Sequence, residues 1–268
     1  MEEQHPTGID AYKPSEMARR VQTAGVAKAH LAFLPLVVLG GLAGAFIGFG
    51  ALFYLITITG AGELFGPVRL LGGLAFSLGL ILVVVGGGEL FTGNTLIVMA
   101  WAGRQVSTRA LLRNWLIVYV ANFAGALLLV AAVLMAGTLD LMDGEVGRTA
   151  ARIATAKLAL SPVAAFARAI LCNALVCLAV WLTFAAQDAT GKILAILWPI
   201  TAFVALGFEH SVANMFLLPL GLAAGAEGTL SEATGQLAIV TLGNIVGGAG
   251  GVALTYWACY LRGPPDGV

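Results

Sequence analysis

The chain of 268 residues is 59% hydrophobic and only 10% charged, with a formal net charge of zero and a mean hydropathy of +0.94. Soluble domains carry roughly 25% charged residues, so this composition excludes an ordinary soluble enzyme, and the zero net charge argues against nucleic acid as a partner. Several uncharged stretches reach the roughly 20 residues whose helical rise crosses about 30 Å of hydrocarbon, which predicts an all-α integral membrane protein.

The first 30 residues hold Glu2, Glu3, Asp10, Lys13, Glu16, Arg19, Arg20 and Lys28 without an apolar run. No cleavable secretory signal is therefore expected, and the first span itself directs insertion. Ser15 is expected to N-cap a short interfacial helix reaching about Lys28, with Met17, Ala18, Val21 and Ala24 on one side. Residues 1–30 read as this amphipathic segment, 31–262 as the transmembrane region and 263–268 as a tail.

Apolar spans are predicted at about 33–58, 70–102, 111–136, 162–186, 193–220 and 235–261. Alternating sides of the membrane places Lys13, Arg19, Arg20, Lys28, Arg104, Arg109, Arg113, Lys192 and Arg262 together. Arg69, Arg148, Arg152, Lys157 and Arg168 fall on the opposite side. The excess of basic residues in the first group assigns both termini to the cytoplasm of a multi-pass plasma-membrane protein, the inner membrane in a bacterial cell. Cys172, Cys177 and Cys259 lie in apolar segments and read as small core residues, with neither a metal site nor a cofactor expected.

The second and fifth spans are interrupted. Gly86 to Asn94 forms a glycine-rich polar patch, and Gly207 to Asn214 forms another at a comparable place. Such breaks free backbone groups at membrane depth, which is tolerated only where the chain is buried in protein or lines a wet cavity. The breaks share a pattern, Gly87, Glu89, Gly93 and Asn94 answering Gly207, Glu209, Ala213 and Asn214. Asn122 and Gly125 in the next span likewise answer Asn244 and Gly247. Two repeats of three spans follow, and an odd number of spans per repeat inverts the second half relative to the first.

Half-helices are expected to resume near Thr95 and Met215, their starts favouring an anion. Glu89 and Glu209 read either as structural carboxylates accepting backbone N–H groups freed by the breaks or as a proton relay. With Asn94 and Asn214 they are assigned here to the structure of the breaks. His210, beside a break, is the pathway candidate able to donate a hydrogen bond or a proton. Thr92 offers a hydroxyl, Asn173 an amide and Lys157 a fixed positive charge, the last balanced against a solvated interfacial lysine. Phe76, Leu80, Leu90, Phe91 and Phe203 read as apolar constrictions or as core packing.

Gly88-Glu-Leu-Phe-Thr-Gly-Asn94, Gly207-Phe-Glu-His-Ser-Val-Ala-Asn-Met215 and Gly243-Asn-Ile-Val-Gly-Gly248 resemble the formate/nitrite transporter family, and the similarity runs from about Pro14 to Arg262. The resemblance implies an aquaporin-like fold and a homopentamer with one pore per protomer. It also implies passage of small monovalent anions: formate, nitrite or hydrosulfide. It places Thr92 and His210 at the pore centre, Asn173 and Lys157 along the path, and the five apolar residues at its narrowings. It links the N-terminal helix to pH-dependent gating. Phe76-Ser-Leu-Gly-Leu-Ile-Leu82 and Thr255-Tyr-Trp257 look closer to formate channels, whereas Gly88-Glu-Leu-Phe-Thr-Gly93 also resembles nitrite channels. An aquaporin-type neutral-solute channel predicts paired Asn-Pro-Ala motifs, which the chain lacks. An intramembrane enzyme built on Glu209, His210 and Ser211 is disfavoured because helix neighbours diverge by about 100°. A passive scaffold leaves the two breaks unexplained.

Overall fold

A computed structural model describes residues 11–62 and 64–263. The parts of the expected N-terminal segment and tail at residues 1–10 and 264–268 lie outside the described residues, as does residue 63. The described chain is helical: α1 (Pro14–Ala29), α2 (Phe33–Ile58), α3 (Phe65–Val85), α4 (Phe91–Ala102), α5 (Thr108–Met135), α6 (Glu145–Leu158), α7 (Pro162–Thr183), α8 (Ala189–Ala205), α9 (Ser211–Ala223) and α10 (Leu230–Tyr260). The short α4 passes through a 3₁₀ turn at Thr95–Ile97, and α10 contains a π-helical stretch at Val246–Leu254.

Five helices, α2, α3, α5, α7 and α10, are long and apolar enough to cross a bilayer, while α4, α8 and α9 are shorter apolar helices. The second expected span is thus α3 followed by α4, and the fifth is α8 followed by α9. Large apolar side chains remain on the outside, among them Leu34, Leu128, Met135 and Val163. A soluble surface rarely sustains apolar exposure on this scale, whereas hydrocarbon solvates it.

Helix α1 begins one residue before the expected cap. Pro14 occupies the first position, where a missing N–H costs nothing, and Glu16 reaches back to accept the Lys13 N–H at 2.9 Å. Ser15 lies inside the first turn. Met17, Ala18, Val21, Gly25 and Ala29 form the buried stripe, and Gly25 rather than Ala24 fills its centre. This face packs on α4.

One element escaped the sequence reading. The connection between the third and fourth spans contains α6, whose buried side is Val146, Gly147, Thr149, Ala150 and Ala154, and which packs on α9 as α1 packs on α4. The wider packing recurs as well: α2 lies against α3 and α5, α7 lies against α8 and α10, and α3 meets α8. Within α2 and α5 the backbones nearly touch. A Cβ on Gly44 would lie 1.9 Å from the Asn122 carbonyl oxygen, and one on Gly125 would lie 1.9 Å from that of Gly41. Gly247 of α10 stands equally close to α7, with 2.1 Å to the Ile170 oxygen.

Candidate functional site

The two breaks are closed by matching bonds. At the first, the Glu89 N–H donates to Leu39 O, and Asn122 of α5 accepts the Phe91 N–H through Oδ1 while its Nδ2 donates to the Gly40 and Glu89 carbonyls. At the second, the Glu209 N–H donates to Arg168 O, and Asn244 of α10 accepts the Ser211 N–H and donates to the Ala169 and Glu209 carbonyls. Each asparagine satisfies one N–H and one carbonyl that the interrupted helix leaves bare, and its remaining bond ties them to a carbonyl of the neighbouring continuous helix, α2 or α7. The half-helices consequently start at Phe91 and Ser211, four residues earlier than Thr95 and Met215.

Both glutamates turn to side-chain donors instead of freed backbone N–H groups. Glu89 accepts from Lys28 Nζ at 2.5 Å and Asn94 Nδ2 at 2.7 Å. Glu209 accepts from Lys157 Nζ at 2.9 Å on both oxygens and from Asn214 Nδ2 at 2.8 Å. A carboxylate at this depth requires a countercharge, and each lysine comes from the last turn of an amphipathic helix, α1 or α6. The two lysines are themselves fixed by amides in the same way: Asn114 Nδ2 donates to Lys28 O and Gln236 Nε2 donates to Lys157 O, each at 2.9 Å. The sequence comparison missed this pair because the residue types differ.

Thr92 and His210 meet. Thr92 Oγ1 lies 2.9 Å from His210 Nε2, both side chains buried. His210 is also the N-cap of α9, its Nδ1 accepting the Ala213 N–H at 3.0 Å. A neutral imidazole with Nδ1 accepting carries its proton on Nε2, so His210 donates to the threonine hydroxyl. The imidazole also stacks on Phe203 with centroids 5.8 Å apart, and Phe203 meets Phe76 edge-on at 5.4 Å.

Two cavities approach this pair. The first, of about 210 Å³, reaches His210, Phe76 and Phe203 and contains Lys157, Arg69 and Arg168. The second, of about 390 Å³, reaches Leu80, Leu90 and Gly93 and contains Lys28 and Lys192. The Thr92–His210 bond therefore joins a wall of the first cavity to the chain segment that bounds the second. Phe91 lines neither cavity; its ring packs edge-on to Trp115 and Tyr119. Asn173 also lines neither. Its Nδ2 ties Asn244 O at 2.7 Å to Thr92 O at 3.3 Å and Thr95 Oγ1 at 3.2 Å, and it positions the first half-helix from behind. Arg69 and Arg168, which no sequence pattern joins, both reach the second break: Arg69 Nε donates to Ala205 O and Arg168 Nη1 to Gly207 O.

The family model described as formate/nitrite transporter matches residues 15–258. The formate channel FocA of Escherichia coli (strain K12) is 38% identical over 95% of this chain and 96% of its own length. The probable formate transporter of Methanothermobacter thermautotrophicus is 40% identical over 95% and 99%. A solved pentameric formate channel with formate bound superposes with a TM-score of 0.78 at 41% identity, covering 86% of this chain and 98% of that one. A second solved structure, an FNT family ion channel, gives 0.84 at 28% identity over 91% and 99%. With the family model spanning nearly the whole chain and relatives this similar along their full length, the chain belongs to the formate/nitrite transporter family.

Proposed function

We propose that the protein is a channel for small monovalent anions, formate first, and not an enzyme. The observation that carries this reading is the buried Thr92–His210 hydrogen bond standing between two cavities that each hold basic side chains. An anion drawn into either cavity by lysine or arginine meets an apolar narrowing, Phe76 with Phe203 from one side and Leu80 with Leu90 from the other. A bare charge in such a place costs several kcal/mol even after relaxation. His210 lowers that barrier by offering its Nε2–H to the anion in place of Thr92. Donating the ring proton outright requires prior protonation of Nδ1, which breaks the Ala213 cap, so hydrogen bonding is the main role and protonation a transient one. The same donor serves nitrite, whose negative charge is likewise shared between two oxygens.

The matching bonds at the two breaks support an inverted repeat of three spans each, with α4 and α9 as half-helices of the second and fifth. The relatives named as formate channels support formate, the pentameric one supports a homopentamer, and the two cavities within a single chain support a pore in each protomer. The basic-residue bias supports both termini in the cytoplasm, with Arg69, Lys157 and Arg168 facing the other side. Purified protein in liposomes is expected to pass formate and exclude sodium and glycerol; glycerol flux equal to formate flux overturns the reading in favour of a neutral-solute channel.

A further inference from the structure

The two cavities differ in their charge. The first gathers Arg69, Lys157 and Arg168 against the single carboxylate Glu209, whereas the second gathers Lys28 and Lys192 against Glu89. In each cavity one lysine is consumed by its glutamate. What remains is two guanidinium groups on one side and one ammonium group on the other.

The guanidinium groups converge. Arg69 comes from α3 and Arg168 from α7, and both arrive at Gly207. Arg69 donates through Nε to Ala205 O and through Nη2 to Val204 O at 3.4 Å. Arg168 donates through Nη1 to Gly207 O at 3.4 Å. Gly207 has φ +73°, a conformation that disfavours any side chain, and the position a Cβ would take lies 2.7 Å from Arg69 Nη2, so the guanidinium packs directly over the glycine. Among the described residues neither arginine forms an ion pair. Each guanidinium has five N–H groups in a planar fork. The carbonyl bonds use two of Arg69's and one of Arg168's, leaving donors on both. Arg69 also lies over the Phe65 ring, 5.1 Å from its centroid, but among the described residues neither guanidinium has a carboxylate partner, and two such groups around one glycine, on a cavity that ends at His210, are suited to the two oxygens of a carboxylate.

We propose that Arg69 and Arg168 form a loading site at Gly207 that binds a small monocarboxylate before it reaches His210, so that entry from this face saturates at lower concentration than entry from the other. The proposal rests on the anion reading above. The second cavity lacks such a fork, so the asymmetry belongs to this pair of arginines and not to the repeated breaks, which are alike.

Right-side-out and inverted membrane vesicles containing the full-length protein, with matched vesicles lacking it as background, test this by initial formate influx at increasing formate. Half-saturation is expected at lower formate from the face bearing Arg69 and Arg168. Arg168 is the better probe because it makes one long bond, whereas Arg69 holds two carbonyls. Arg168→Gln should raise half-saturation about fivefold from that face alone, the effect of one unit charge at contact distance in high dielectric. Arg168→Lys should raise it less and Arg168→Glu more, an ordering by charge that local damage to the break would not produce. Equal half-saturation from both faces of the parent, an equal shift on both faces, or no ordering by charge overturns the loading site while leaving the channel reading intact. Absence of formate influx from either face of the parent overturns the channel reading and the loading site with it.

Discussion

Asn244 and Ser211 are joined across 33 residues by a 2.8 Å bond from the Ser211 N–H to the asparagine Oδ1, and the same amide donates to Ala169 O and Glu209 O. One side chain thus serves three buried backbone groups. Asn122 repeats the set at the first break. Asn244→Leu preserves volume but strands the Ser211 N–H and the Glu209 carbonyl, at about 1–3 kcal/mol for each unsatisfied group, whereas Ala169 O keeps its bond within α7. Thermal unfolding in detergent should show a large fall for Asn244→Leu and for Asn122→Leu alike. A loss confined to one of them would mean that the two breaks are not equivalent in energy.

The lysine–glutamate pairs should be unequal. Lys157 and Glu209 are 16% and 4% exposed at their side chains, whereas Lys28 is 35% exposed. Removing one partner of a buried pair leaves an uncompensated charge, typically about 3–5 kcal/mol, and exposure discounts this. Lys157→Met is expected to destabilise more than Lys28→Met, and Lys157→Met with Glu209→Gln to recover much of the loss. The measurement is a double-mutant cycle in the same unfolding assay; additive losses would show that the pair is not coupled.

The α2–α5 crossing gives a steric test with an internal control. Gly44→Ala would force a Cβ to 1.9 Å from Asn122 O, in rigid backbone, whereas the nearest atom to a Cβ on Gly41 is Ala121 O at 4.0 Å. Gly44→Ala should therefore prevent assembly or sharply lower the melting temperature. Gly41→Ala should be neutral or stabilising by up to about 1 kcal/mol, because alanine favours a helix over glycine. Equal tolerance of both substitutions would place the helices farther apart.

Glu145, at the start of α6 and outside the spanning helices, carries a pH-dependent contribution. Its hydrogen bond from Arg152, and then that from Arg148, lowers its pKa from the ordinary 4.5. Because the folded value is depressed, the stabilisation is complete above the unfolded value and is lost as pH falls through the folded one. Hydrogen exchange of α6 amides should be flat from neutrality to about pH 5 after correction for intrinsic rates, then lose protection on further acidification. Glu145→Gln should remove that step.

The breaks were legible because a glutamate and an asparagine amid glycines, inside an apolar run, have few places to go in a membrane. The match of Asn122 with Asn244 was legible for the same reason. Helix α6 was not, since a short amphipathic helix carrying Arg148, Arg152 and Lys157 looks like a charged connection when only hydropathy is followed. Its kinship to α1 became visible through Lys157 and Lys28, which lie 52 and 61 residues from their glutamates. No local pattern encodes those distances. The sidedness of Phe91 is hidden too: a half-helix starting at Phe91 points that ring at Trp115 and Tyr119, whereas the sequence pattern places the start four residues later, at Thr95. Arg69 and Arg168 appeared only as counts in a charge bias, although the fold brings both to one glycine.

His210 has two duties that substitution can separate. Its Nδ1 caps α9 through the Ala213 N–H, and its Nε2 meets Thr92 Oγ1. Asparagine is among the better N-caps, so His210→Asn can keep the first duty, while its shorter, non-titrating side chain loses the second. His210→Ala loses both, and cap loss alone costs about 0.5–2 kcal/mol. Thr92→Val removes only the hydroxyl and should leave His210 capped, with its Nε2–H free for an anion. The expected order of stability is therefore parent, His210→Asn, then His210→Ala. Formate flux should fall in both histidine variants and persist in Thr92→Val. If the imidazole also lends a proton, the dependence of parent flux on external pH must flatten in His210→Asn. A His210→Asn protein that assembles normally and matches the parent's flux across pH 5 to 8 would reduce His210 to the cap of α9.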